Sequence, residues 1–209
     1  MNIFHEITKK PWLTDPAEVE GLTVGGAFFL PAGKVGLRIF LVVVSVIFTL
    51  TTIAYADRML FANWQPIPEP AVLWLNTALL IASSFAMHWA RLNTQRDNIT
   101  GVRDGLIFGG VLTVAFLIGQ LYVWQQMVDL GYYANLNTAN AFFYLVTALH
   151  GAHMIGGLIA WGRSMLRMRR ISKTGGSITE LRLSVELCTT YWHYLLLIWL
   201  ILFTLLLLS

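Results

Sequence analysis

The chain has 209 residues, of which 56% are apolar and 12% charged, with a formal net charge of +3 and a single cysteine, Cys188. Soluble domains carry about 25% charged residues, so a water-soluble globule, a disordered chain and a disulfide-stapled secreted scaffold are all excluded.

A bilayer-spanning helix needs about 20 mostly apolar residues, and five runs reach that length. The segment 1–34 carries Glu6, Asp15, Glu18, Glu20, Pro11 and Pro16. It contains no apolar stretch long enough for a signal peptide, and it reads as a cytoplasmic N-terminal tail. Gly25, Gly26 and Pro31 then lead into the first span, residues 35–56. An outer loop, 57–70, bears Trp64, Pro66, Pro68 and Pro70. The remaining spans are 71–90, 105–127, 139–161 and 184–208. All six prolines lie outside the five runs, as uninterrupted helices require, and the period-2 alternation of a membrane barrel is missing. The expected architecture is all-α: a polytopic membrane protein with residues 35–209 forming one five-helix transmembrane domain.

Charge sets the expected orientation. Lys9, Lys10, Lys34 and Arg38 precede or open the first span; Arg91, Arg96 and Arg103 flank the second-to-third connection. Arg163, Arg167, Arg169, Arg170, Lys173 and Arg182 are assigned to the fourth-to-fifth connection. Only Arg58 falls on the opposite side. By the positive-inside rule the N-terminus is cytoplasmic and the C-terminus outside. The basic excess is thus an orientation signal and predicts no nucleic-acid partner, although the run 163–173 can also meet anionic lipid headgroups. Trp64, Trp74, Tyr132 and Tyr133 stand where an interfacial aromatic belt belongs.

Polar side chains inside spans are costly and mark functional candidates. They are Arg38, His88, His150, His153, Glu186 and His193, with Asn76, Gln120, Ser83 and Ser84. His150 and His153 share one helix face. Counting about 1.5 Å per residue from the cytoplasmic ends puts His153 and His193 at one depth, where they can face each other. Two readings stand open: a metal site drawn from His150, His153, His193 and His88, or imidazoles acting as interhelical hydrogen-bond glue. A redox or hydrolytic metal site wants three or four ligands and supporting partners, and no carboxylate lies at that depth, so glue is preferred. His88, beside Arg91, reads as interfacial. Glu186 is either a proton-handling carboxylate or, preferred, a first-turn acid favoured by the positive end of its helix. Tyr191 and Trp192 read as packing aromatics. No nucleophile triad or phosphate loop is visible, and no proline-broken span or midplane ion site marks a transporter. The residues describe an accessory subunit rather than an enzyme.

Three segments carry a resemblance. Residues 144–157, with Thr147, His150, Gly151, His153 and Gly157, resemble the YxxTGxHGxHVxxG pattern of subunit III of the haem-copper oxidases. Glu186 with Tyr191-Trp192-His193-Tyr194 resembles that family's final helix, E-x4-YWHFVDxVW. Leu75-Asn76-Thr77 with Ser83-Ser84 resembles its LNTxxLxxSS helix. The likeness covers residues 35–209 and matches the five-helix form. It implies a non-catalytic subunit of a respiratory terminal oxidase, an accessory part of a proton-translocating, cytochrome c oxidase-type complex in aerobic electron transport.

The resemblance further implies no catalytic residue, metal or haem on this chain, with haem and copper held by partner subunits I and II. It implies bound structural phospholipids, and a role in stabilising subunit I and supporting proton uptake. Alternatives are a subunit III-like accessory protein of a nitric oxide reductase or quinol oxidase, and a stand-alone His-ligated membrane metalloenzyme. The sequence departs from the family at three acids. Val123 stands in the QxxEW segment that begins at Gln120, Ala71 opens the second span, and Ser45 occupies the first.

Overall fold

A computed structural model describes residues 31–61, 71–174 and 178–208. Positions 1–30 of the tail and the part of the outer loop that bears Trp64 lie outside this range. Five helices follow in order: α1 (Ala32–Met59), α2 (Val72–Gln95), α3 (Ile99–Asp129), α4 (Thr138–Thr174) and α5 (Ile178–Leu207). Each is long and apolar enough to cross a membrane, and no strand occurs among the described residues.

Each helix outruns its apolar stretch at one end or both. The largest correction is α4, which continues well past Trp161 to Thr174. Arg163, Arg167, Arg169 and Arg170 therefore lie on helix rather than in a connection, and Arg182 lies within α5. The reason is that arginine is a good helix former and its charged tip reaches water from a helix end, so polarity marks where the bilayer stops, not where the helix does.

The connections are built from local chemistry. Arg96, Asp97 and Asn98 alone separate α2 from α3, which forces the two helices to be antiparallel neighbours. Asp97 takes φ +54°, a left-handed conformation that aspartate tolerates better than most residues. Asn98 caps α3 by accepting the Gly101 N–H at 3.2 Å. At the far end, Gly131 adopts φ +85°. Its N–H donates to the Val128 carbonyl and that of Tyr132 to Met127, both at 2.9 Å, the 5→2 and 6→1 pattern that satisfies a helix C-terminus.

Four helices form a closed ring: α2 packs on α3 and α5, and α4 also packs on α3 and α5. The α2–α3 contact is the closest. A methyl group added at Gly105 would lie 2.9 Å from the Ala86 carbonyl oxygen and from the Ala90 nitrogen, and one at Gly109 would lie 2.7 Å from the Met87 sulfur. Gly101, Gly105 and Gly109 make a four-residue repeat of small residues, the pattern by which membrane helices approach closely. Leu80, Met87, Leu106, Phe116, Trp192 and Trp199 fill the ring's interior.

Helix α1 is attached differently. None of its Cα atoms comes within 8 Å of another described helix, and large side chains span the gap. Val44 and Phe48 pack with Val146 of α4 and with Ile198 and Leu202 of α5. Tyr55 meets Phe142 edge to face at 5.5 Å, and the Ser45 hydroxyl bonds the Tyr194 hydroxyl at 2.9 Å.

Candidate functional site

The expected polar residues sort into three places. The first is a buried seam between α2, α3 and α5. Trp192, fully buried, directs its indole N–H to both the Ser83 and Thr113 hydroxyls, at 3.1 and 3.0 Å. Those hydroxyls bond each other at 2.8 Å and reach the Gly109 carbonyl. One turn towards the basic end, Thr189 donates to the Met87 carbonyl at 3.0 Å. Two turns the other way, Trp199 donates to Thr77 at 3.0 Å, and Asn76 Nδ2 donates to Gln120 Oε1 at 3.3 Å. Trp192 thus does more than pack: it fastens three helices at one point. Asn76 and Gln120 are brought together as a pair, while Asn76 Oδ1 and Gln120 Nε2 have no hydrogen-bond partner within the chain.

The second place holds His150 and His153. His150 is completely buried, and neither ring nitrogen has a hydrogen-bond partner within the chain. It is walled by Trp199 at 5.2 Å, Phe116 at 5.9 Å and Phe48 at 6.4 Å between ring centroids. His153 Nδ1 donates to the Leu149 carbonyl at 2.8 Å, and its ring lies against Phe48 and Phe40. The Tyr191 hydroxyl donates to the His153 carbonyl at 2.9 Å.

The third place lies on the outer face of α2 and α5, and it corrects two expectations. His193 does not meet His153. Its ring stands 5.7 Å from His88 of α2, because on a helix of 3.6 residues per turn His193 points about 160° away from Tyr191, the residue that faces α4. Nor is Glu186 a first-turn acid. Helix α5 begins at Ile178, two turns earlier, and Glu186 pairs instead with Arg91 at 3.6 Å. Both partners are about one-third exposed, which limits such a pair to roughly 0–1 kcal/mol.

No group of three or more His, Cys, Asp or Glu side chains converges closely enough for a metal ion among the described residues. The four span histidines are divided between an aromatic cage, a partly buried turn and an outward-facing pair. Two contributors were missed in the sequence. Trp161 donates to the Leu106 carbonyl at 2.7 Å, and Trp124 to the Thr147 hydroxyl at 3.0 Å. Gly110, beside but not within the 101–105–109 repeat that faces α2, was the one signal for the first: a methyl group there would strike the Trp161 ring.

The sequence matches the family described as Cytochrome c oxidase subunit III over residues 7–208. The chain belongs to that family. It is 31% identical over 175 residues to cytochrome c oxidase subunit 3 of Thermostichus vulcanus, covering 82% of this chain and 84% of the relative. It is 29% identical over 175 residues to cytochrome c oxidase subunit 3 of Synechocystis sp., covering 81% and 72%. Five spanning helices and bacterial relatives of this family make it a multi-pass protein of the bacterial cytoplasmic membrane, a subunit III of a haem-copper oxidase, and so an accessory part of an oxidoreductase complex.

Proposed function

We propose that this chain works as a rigid scaffold for the oxidase's catalytic subunit I, in a complex that also holds subunit II, and that it supports proton uptake by holding subunit I in shape rather than by relaying protons through its own spans. The seam joining Trp192, Ser83 and Thr113 carries this reading. Its donors and acceptors are consumed in fixing α2, α3 and α5 to one another, the pattern of polar glue rather than of a reacting site. Ser45, Ala71 and Val123 stand where the resembled family carries acids, and Glu186 is engaged by Arg91; both features favour scaffold over relay. Haem and copper belong, on this reading, to the partner subunits.

Structural phospholipid is part of the proposal. Arg103 and Arg169 flank a cavity of about 170 Å³ between α3 and α4, floored by Ile107, Met165 and Met168. Cationic rims above apolar floors suit an anionic headgroup and its acyl chain. The orientation that puts this basic end in the cytoplasm belongs to the same proposal.

The test is capture of the tagged chain from its native membrane in mild detergent. The expected result is co-purification of a haem-bearing polypeptide whose spectrum is that of a terminal oxidase. Recovery of the chain without any haem-bearing partner overturns the reading. Co-purification with a nitric oxide reductase or a quinol oxidase moves it to that complex.

A further inference from the structure

The large majority of buried side-chain polar atoms in native proteins have a hydrogen-bond partner, and where the chain supplies none an ordered water commonly does. Among the described residues, Asn76 Oδ1, Gln120 Nε2, Gln126 Oε1, Asn140 Oδ1 and both ring nitrogens of His150 are buried without a partner in the chain. Their surroundings differ. His150 is walled by Trp199, Phe116 and Phe48, and a buried water needs about two to four polar partners, which an aromatic cage does not offer. Gln126 and Asn140 stand within three residues of the Asp129 and Thr138 ends of α3 and α4, near enough to the membrane surface for bulk water to serve them. Asn76 and Gln120 are 1% and 5% exposed, out of reach of bulk solvent, and they come as a pair.

The two carboxamides meet at one corner only, Asn76 Nδ2 donating to Gln120 Oε1 at 3.3 Å. What remains is one acceptor, Asn76 Oδ1, and one donor, Gln120 Nε2. That remainder does not depend on which end of each amide is assigned as oxygen. Turning both amides again leaves one donor and one acceptor, whereas turning one sets like against like across the contact. Water is the smallest group that answers both, since it accepts and donates at once. Gly119 fixes the position of the acceptor: a methyl group there would strike Asn76 Oδ1. The oxygen thus takes the place of a side chain at 119, beside the backbone that carries Gln120. Further along the seam direct contacts suffice, with Trp192 bonded to Ser83 and Thr113 and Trp199 bonded to Thr77.

We propose that α2 and α3 hold a structural water between Asn76 and Gln120, one that accepts from Gln120 Nε2 and donates to Asn76 Oδ1. It extends the polar seam towards the Gly131 end and completes two buried groups that the chain leaves unpaired. Neither carboxamide titrates, so this water fastens two helices and is not a proton carrier.

The experiment is a density map of the full-length protein, purified with whatever subunits it retains, in which ordered waters are visible. The expected result is one water-sized peak at hydrogen-bonding distance, about 2.7–3.2 Å, from both Asn76 Oδ1 and Gln120 Nε2. Two ordered carboxamides with no such peak overturn the inference. So does a reciprocal pair in which Nε2 donates directly to Oδ1. A second map, of the double variant Asn76→Leu/Gln120→Met, replaces both carboxamides with apolar groups of similar size and is expected to lose the peak. A peak that persists there is held by other groups and overturns the assignment to these two residues. Should the double variant fail to fold, the first map decides alone. Every outcome leaves the subunit III reading intact.

Discussion

His150 is completely buried, with two polar atoms and no hydrogen-bond partner within the chain for either. Burying an unpaired polar group costs about 1–3 kcal/mol on protein scales, so its ring must be held by other forces. Phe116 and Phe48 present themselves edge to face, at 79° and 64°, and Trp199 lies tilted at 39°; such ring pairs contribute about 0.5–1.5 kcal/mol each. His150→Phe keeps the ring contacts and removes the unpaired nitrogens. The expected thermal midpoint in detergent is unchanged or higher, within about 1 kcal/mol of the unaltered protein. A fall of several degrees would mean that the nitrogens have a partner the scaffold reading does not provide. The sequence marked His150 as a candidate because imidazole is costly in a span. It could not show that His150 and His193 end up in unlike surroundings, because depth along a helix is additive whereas the direction faced depends on which neighbours pack around it.

Between α2 and α3 the decisive quantity is the distance between backbones. Gly105 has backbone, not flexible side-chain tips, within 2.9 Å of where its Cβ would be, so nothing nearby can move aside alone. Gly105→Leu is expected to cost about 1–3 kcal/mol, read as a lower thermal midpoint and as protease sensitivity at the α2–α3 turn. Wild-type stability in this variant would show that the two helices are farther apart than the glycines allow. The same closeness positions Ser83 under the Gly109 carbonyl and lets Trp192 reach Ser83 and Thr113 together. The repeat of small residues was readable as a helix-contact signal, but its consequence for Trp192, two helices further along the chain on α5, was not.

For the whole molecule, charge and direction agree. Arg182 bonds the Thr94 carbonyl and Asp97 across 88 and 85 residues of chain, so the α2–α3 turn and the start of α5 share one end. Arg91, Arg96 and Arg103 belong to that end too. Gly131 and the adjoining Tyr132 and Tyr133 mark the opposite end, where Tyr133 is exposed as a belt residue should be. Because Cys188 is the single cysteine and is buried, the chain offers little background for labelling. An Asn135→Cys variant is expected to react with a membrane-impermeant thiol reagent from outside the cell, and an Arg169→Cys variant only after the membrane is opened. The reverse pattern would invert the topology proposed from the basic residues.

The sequence by itself determined the number of spans, their order and the family. Those depend on how much apolar length each segment offers to a bilayer and on residue identities at fixed spacings, both properties of the chain read in one dimension. Only the tertiary structure decided that Glu186 answers Arg91, that His193 turns to His88 and not to His153, and that the basic run after Trp161 is helix. The first two depend on rotation about a helix axis and on which helix lies alongside, which the packing of α2, α3, α4 and α5 on one another fixes; the third depends on where a helix stops, which polarity does not mark.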